Sequence, residues 1–480
     1  LAQRHKGIGL RVLTGAVAVV ALPLFALPKG AVAQTEPAQT ELAQSEPEQA
    51  RLSVQDARVL GLEAIRLGRP ELAAEIAMAL LAADPADSFG HFLMANSLMR
   101  MNEPRMAERA AKQAYRYAKT PEQSFQSARL AADLAFQRGA LTTSQWWLRK
   151  SAEAAPDEAR MAKSIALFRG VKRRNPWRVQ LAFSARPSDN VNNGSSGQYN
   201  IIDGLPFVGK LSEDAQAVKG VVAEAAVTLG YRLRQSGQSE TSVGAQITTR
   251  RVHLSTGEKT RLGGDPGFGW NRISLSLRHE WAPADSRHRF SLEGTAGRMD
   301  YQSGSDYSFW GLALGHRAIL SERAFLDSAI EAEQRSDQGT RRGDRSYSIR
   351  SSLIFQRENK DMIAATLLGN RFDTTITGRS STMVGAQISY TLADPIGPVG
   401  LSGSLGLQRS QANGYSLVGL TVPGGKKDTT RYAEVQMQFN DVSYAGFAPH
   451  LRLRHQSTRS NVSRFDAREV SATLGIASKF

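Results

Sequence analysis

The chain of 480 residues contains no cysteine at all. That absence excludes a disulfide framework, a thiolate metal centre and lipidation on a cysteine of its own. It is compatible with an oxidising envelope compartment without demanding one. Beyond Leu27 no run is long and apolar enough for a spanning helix, which takes roughly 20 residues. Any membrane crossing must therefore be made by strands closed into a barrel. The sequence also lacks G-x-S-x-G and H-E-x-x-H, the local patterns of a nucleophile elbow and a zinc protease. Its histidines offer no nucleophile–base pair facing one space, so no catalytic residue is expected and the chain is not read as an enzyme.

Two near-motifs fall on the same test. Gly204 to Leu211 reads G-x-x-x-x-G-K-L, but it lacks the terminal hydroxyl that binds magnesium and the strand-to-helix context of a phosphate loop. Asp189, Asn190, Asn192 and Asp203 carry oxygens that suit calcium, without the spacing of a known calcium loop. Turn chemistry, in which Asn and Asp bond their own backbone, is the better reading. No metal and no cofactor is expected.

What is present falls into four parts. Residues 1–33 read as a signal peptide, with a basic start (Arg4, Lys6, Arg11), an apolar run from Val12 to Leu27 and Ala31-Val32-Ala33 before Gln34. Its loss would lower the net charge from +15 to +11, and export disfavours a nucleic-acid partner. Residues 34–50, rich in Gln, Glu, Thr, Pro and Ala, are expected to be a flexible linker. Residues 51–170 change to helical spacing of Ala and Leu, recurring at about 35 residues. Gly68, Asn102 and Gly139 are expected at turns inside each helix pair. This is the pattern of tetratricopeptide-like repeats, which stack to leave a concave face for an extended peptide or another protein. A plain helical spacer or barrel plug is the bland alternative.

Residues 171–480 switch to a period of two. About fourteen alternating segments follow, most long enough for the roughly 9–11 residues of a tilted membrane strand. Short connections such as Gln235–Glu240 and Ser321–Glu322 alternate with mostly longer ones such as Pro187–Ala217 and Ser410–Lys427. Tight periplasmic turns and large external loops give that alternation. The expected fold class is thus α plus transmembrane β: helical repeats in the periplasm, then an antiparallel up-and-down outer-membrane barrel.

Charge at bilayer depth costs about 2–4 kcal/mol for Arg or Lys on the lipid face, which assigns the two faces. Ala223, Ala225, Val227 and Leu229 face lipid while Glu224, Thr228 and Arg232 face the lumen. By the same parity Arg278, Asp327, Glu331, Arg350 and Arg452 face the lumen. Trp270, Tyr307, Tyr347 and Tyr432 are expected in an aromatic girdle on the loop side. The basic loops, including Arg341-Arg342 and Lys426-Lys427, suit lipopolysaccharide phosphates or an acidic client. In the final segment Val470, Ala472, Leu474, Ile476 and Phe480 share one parity, so the last strand is expected to close the barrel. Phe480 is the candidate signal for barrel-assembly machinery.

Asn175-Pro176-Trp177 followed by Asp189-Asn190-Val191-Asn192-Asn193 resembles the start of the barrel in surface lipoprotein assembly modifiers, the Slam family. That resemblance covers the mature chain in layout, but in motif only this junction and Phe480. It implies delivery of a client, either a surface lipoprotein or a secreted haem- or metal-scavenging protein, across the outer membrane. The competing expectation is a passive outer-membrane porin or anchor that carries a periplasmic protein-binding domain.

Overall fold

The computed structural model describes residues 52–203, 208–304, 306–337, 343–376, 378–417, 420–442, 444 and 446–478. The expected signal peptide and linker, the Arg341-Arg342 pair, Phe480 and half of the Gly204 to Leu211 stretch lie outside the described residues.

Helices come first: α1 (Val54–Arg66), α2 (Pro70–Ala83), α3 (Ser88–Arg100), α4 (Pro104–Arg116), α5 (Pro121–Gln137), α6 (Leu141–Glu153) and α7 (Glu158–Arg174). Their starts follow from local chemistry. Ser53, Asp87, Thr120 and Asp157 each accept a backbone N–H of the first turn, and Pro70, Pro104 and Pro121 open three of the helices. Gly68, Asn102 and Gly139 all adopt positive φ (72°, 61° and 72°), which ends the first helix of each pair and turns the chain back. Alanine then lets the helices close on one another. Ala73 and Ala77 pack on Leu93, and Ala107 and Ala111 pack with Leu130 and Leu134. At Gly61 an added Cβ would lie 2.4 Å from a terminal methyl of Leu93, so any side chain there would force Leu93 to move. Leu148, Phe168 and Val171 bury α7 on the last pair.

The domain boundary differs from the expected one. Val171 belongs to that buried cluster and α7 continues to Arg174. A run of Lys172, Arg173 and Arg174 reads as a breaker in a period-two scan, yet cations in a last helical turn favour the helix dipole.

From Trp177 onward fourteen antiparallel strands build the wall, with two short hairpins in the loops besides: β1 (Trp177–Ser188), β2 (Gly220–Gln235), β3 (Ser239–His253), β4 (Trp270–Trp281), β5 (His288–Tyr301), β6 (Tyr307–Ser321), β7 (Ala324–Asp337), β8 (Gly343–Gln356), β9 (Met362–Thr374), β10 (Ser381–Thr391), β11 (Val399–Ala412), β12 (Lys426–Phe439), β13 (Phe447–Ser460) and β14 (Ala467–Ser478). Each pairs with the next and β14 returns to β1, giving a closed barrel with strands meeting in sequence order. An even strand number puts the start of β1 and the end of β14 at one rim, with the short turns and the helices. The longer loops lie at the other.

Most outward positions in mid-strand are apolar. Leu181, Leu275, Leu367, Val384, Leu405 and Val470 are all at least 60 % exposed, a belt that water would penalise at roughly 1.5–3 kcal/mol per large side chain. Such a belt on a closed barrel is a membrane face, and this one lies in the outer membrane. The loop-side girdle needs correction. Tyr347 points outward, and Trp310 joins it, but Trp270, Tyr307 and Tyr432 share parity with inward Arg272, Arg335 and Glu434 across the paired strands. Tyr432 donates to Gln387 and lies under Arg454. Strand-end position alone did not separate the two faces.

Candidate functional site at the lumen, the junction and the seam

The inward face is wet and charged. Glu333 takes Arg272 at 3.3 Å and Arg335 at 2.6 Å, and Arg278 bridges Glu280 and Glu293. Asp327 pairs with Arg317, Glu434 with Arg452 and Arg454, and Glu224 with Arg250 at 3.9 Å. Two polar cavities, about 240 and 350 Å³, sit among these groups; Glu331 lines the first, and Glu224 and Arg452 the second. Arg350 lies opposite Ala329, on the inward side of β8.

Two further features narrow the lumen towards the loop end. Phe309 is buried beneath the Arg272 guanidinium, 4.0 Å away, and Tyr432 projects from the far wall. Loop residues then build small cores of their own: Val191, Val218 and Leu254 with Val222 of β2, and Ile202, Val422 and Val462 from three separate loops.

Arg232 is not a lumen residue in its contacts. At the turn-end rim it donates to the carbonyls of Arg173, Arg174 and Asn175, the last carbonyls of α7, while Glu240 neutralises it from 3.7 Å. A cation on helix C-terminal carbonyls satisfies orphan acceptors and complements the dipole.

The two halves of the junction motif bracket β1. Asn175, 3 % exposed, donates through Nδ2 to Thr142 and Gln145 of α6 and accepts the Trp177 N–H through Oδ1. Pro176 offers its carbonyl to the Arg232 N–H, and the Trp177 ring meets Tyr231 edge-on. At the loop end, Asp189 accepts the Val470 N–H of β14, and Asn190 donates to the carbonyls of Arg468 and Gly194 while accepting the Gly194 N–H. Asn192 accepts N–H groups of Gly194 and Val218 and donates to Asp214 and Gln216, and Asn193 turns the chain at φ 52°. The calcium-like oxygens of Asp189, Asn190 and Asn192 are thus spent on backbone N–H groups. Ser188 and Arg186 add bonds to Glu469. Asn190→Ala should therefore lower barrel stability by about 2–3 kcal/mol, because it strands a buried N–H and two carbonyls. Asp189→Ala, at an exposed bond, should cost under about 1 kcal/mol. The temperature of the heat-induced mobility shift in detergent would rank them, and equal effects would contradict this role for Asn190.

Between those ends β1 pairs on both sides. Its edge to β2 is matched from Trp177↔Tyr231 through Ser188↔Gly220. Among the described residues its edge to β14 is matched at Ser184↔Gly475, Ala185↔Leu474 and Ser188↔Ser471.

The helices also touch the barrel beside that seam. Arg149 of α6 donates to the Ser478 hydroxyl at 3.1 Å and to Gly446, and lies 4.7 Å over both Phe168 and Phe447. Lys150 lies 3.6 Å over Tyr444 in the β12–β13 turn. Burial pulls the Arg149 guanidinium below its ordinary range. Sequence reasoning missed this contact, because nothing in the spacing distinguishes Arg149-Lys150 from any solvated pair on a helix.

The family model for surface lipoprotein assembly modifiers matches residues 177–480, the whole barrel with the junction tryptophan. The chain belongs to the surface lipoprotein assembly modifier family. No curated protein matches it. Among solved structures this family member is similar over its helices to SycD, the type III secretion translocator chaperone of Yersinia enterocolitica, with 17 % identity, 26 % of this chain and 88 % of that one, and TM-score 0.23. Over the barrel it is similar to a mutant of the monoaromatic hydrocarbon channel TodX (9 % identity, 64 % and 91 % covered, TM-score 0.36). It is also similar to a loop-deleted OmpT of Vibrio cholerae (9 % identity, 63 % and 100 % covered, TM-score 0.31).

Proposed function

We propose that this protein delivers client proteins to the cell surface across the outer membrane, with its helical repeats in the periplasm holding the client before transfer. Family membership over the barrel carries the reading. The client is a surface lipoprotein or a secreted haem- or metal-scavenging protein, and no bond is made or broken on the way. The lumen supports this role over that of a passive pore. Its inward ion pairs, the Phe309 and Tyr432 rings and the loop cores obstruct free diffusion of small solutes, whereas ion pairs in a hydrated channel can be exchanged for those of a passing chain. Barrel-assembly machinery and lipopolysaccharide are the other partners, the latter through the basic loops.

Deletion of the gene should lower the biotin labelling of one or a few surface proteins on intact cells at least tenfold, with antibiotic and sugar uptake unchanged. Unchanged surface labelling together with reduced solute uptake would replace this reading with the porin. Whether the lost proteins carry lipid identifies the client class.

A further inference from the structure

We propose that three outward arginines, Arg409 of β11, Arg431 of β12 and Arg459 of β13, form a site for one lipid A headgroup of outer-leaflet lipopolysaccharide, with its phosphates on the guanidiniums and its acyl chains on the apolar wall beneath. The site rests on the lipopolysaccharide contact proposed above and moves it from the loops to the strands.

Parity puts these side chains on the lipid face. Arg409 shares its side of the strand with Leu405 and Leu407, Arg431 with Val435, and Arg459 with Leu453, all of them exposed. The three arginines are exposed as well. Each lies in the loop-end part of its strand, three residues before Ala412, five after Lys426 and one before Ser460. A guanidinium there costs a fraction of what it would cost at the bilayer midplane, and its stem can run along hydrocarbon while its head reaches the outer-leaflet headgroups.

Register then brings the three together. Arg409 and Arg459 both meet Thr429, one from each side, so they stand roughly 10 Å apart across β12. Arg431 is two residues along β12 from Thr429 on the same face, between Leu407 and Ser457. The small Thr429 and Ser457 leave open space, lined by hydroxyls, among the three guanidinium forks. Arg468 of β14, opposite Ser457, extends the cationic row.

Charge balance sets this arc apart. Inside the barrel Arg272, Arg278, Arg317, Arg335, Arg452 and Arg454 each meet a carboxylate. Elsewhere on the outward loop-end rim Arg298 takes Asp300 and Asp306, Arg371 takes Asp373, Arg251 takes Asn271 and Arg345 takes Gln334. The guanidiniums of Arg409, Arg431 and Arg459 have no hydrogen bond or ion pair among the described residues. The nearby carboxylates of β12 point inward, Asp428 onto Lys426 and Glu434 onto Arg452 and Arg454. Unmatched forks side by side above hydrocarbon suit a multivalent anion carried on an apolar body, and arginine takes phosphate through two parallel hydrogen bonds. Lipid A has that form, with a phosphate at each end of a disaccharide and acyl chains directly below. An acidic protein segment would answer the charge and leave Leu405, Val435 and Leu453 unused.

The protein purified in detergent and titrated with lipid A should take up one molecule per chain by native mass spectrometry. Each basic residue at such a surface changes affinity roughly fivefold, so Arg409→Gln with Arg431→Gln and Arg459→Gln should weaken binding about a hundredfold. Lipid A stripped of both phosphates should bind the unaltered protein more weakly by a similar factor. Arg341→Gln with Arg342→Gln, in a loop, should leave the affinity within about threefold. A loss under about tenfold in the triple variant overturns the site, and so does equal binding of the phosphate-free lipid. If the loop variant loses the lipid and the triple variant keeps it, the contact stands on the loops and only this site fails; if the unaltered protein takes up no lipid A, both fail. The three changes fall on exposed side chains, so the heat-modifiable shift of the barrel should be retained. Were it lost, the comparison of the two lipids on the unaltered protein decides alone.

Discussion

Gly297→Val should reduce the folded barrel to less than about a tenth of the wild-type amount. Gly297 lies inward on β5, between β4 and β6. A Cβ there would stand 2.2 Å from the Ile273 carbonyl oxygen and 2.6 Å from the Phe309 ring. Neither neighbour can yield cheaply. Ile273 is registered between β3 and β5, and Phe309 is 4 % exposed beneath Arg272. Overpacking of this kind costs typically 1–3 kcal/mol and more where backbone must move. Gly297→Ala should give an intermediate loss, and adding Phe309→Ala should recover only part of it, since the carbonyl clash remains. Gly237→Ala, in the β2–β3 turn with nothing within 4 Å, should stay within about 0.5 kcal/mol of wild type. Heat-modifiable mobility of outer-membrane fractions measures all four, and a Gly297→Val barrel at normal abundance would mean that the strands tolerate a widened spacing there.

The reason Gly297 could not be singled out from sequence also explains what was legible and what was not. Polarity alternates along single strands, so strand number, the alternation of short and long connections and the inward parity of Glu224, Arg278, Asp327, Glu331 and Arg452 follow from local order alone. Helix pairs with Gly68, Asn102 and Gly139 at their turns are equally local. What bridges distant segments leaves no periodic trace. Tyr307 and Tyr432 turn inward because their cross-strand neighbours do, and Arg232 caps α7 because the register of β1 with β2 brings it there. Asn175 and Asn190 were noticeable as a motif, yet their partners Thr142, Gln145 and Arg468 lie far along the chain. The closing pair of strands is the extreme case. Val470, Leu474 and Ile476 alternate as faithfully as any strand does, and only coordinates show that Leu474 meets Ala185 of β1.

Arg149→Ala combined with Lys150→Ala should release the helical repeats from the β12–β13 turn. Lys150 is 7 % exposed over Tyr444, and Arg149 sits between Phe168 and Phe447 with donors on Ser478 and Gly446. Partly desolvated cation–π contacts are worth about 1 kcal/mol each, and a charged donor to a neutral acceptor about 1.5 kcal/mol. A combined loss of about 3 kcal/mol corresponds to roughly a hundredfold fall in the docked-to-undocked ratio, at 1.4 kcal/mol per tenfold. Spin labels at Gln113→Cys and Asp441→Cys would report it as a narrow distance distribution that broadens in the double variant. Arg109→Ala, with its side chain in solvent, should leave the distribution narrow. The tether through Asn175 and Arg232 survives the double change, so the barrel should still assemble and its heat-modifiable shift should stay within a few degrees. Tyr444→Ala should reproduce the Lys150 part alone, because it removes the ring and keeps the cation. A distribution that stays narrow in the double variant would place the docking energy in the junction, and the α6 contact with the end of β14 would then be a consequence of the tether.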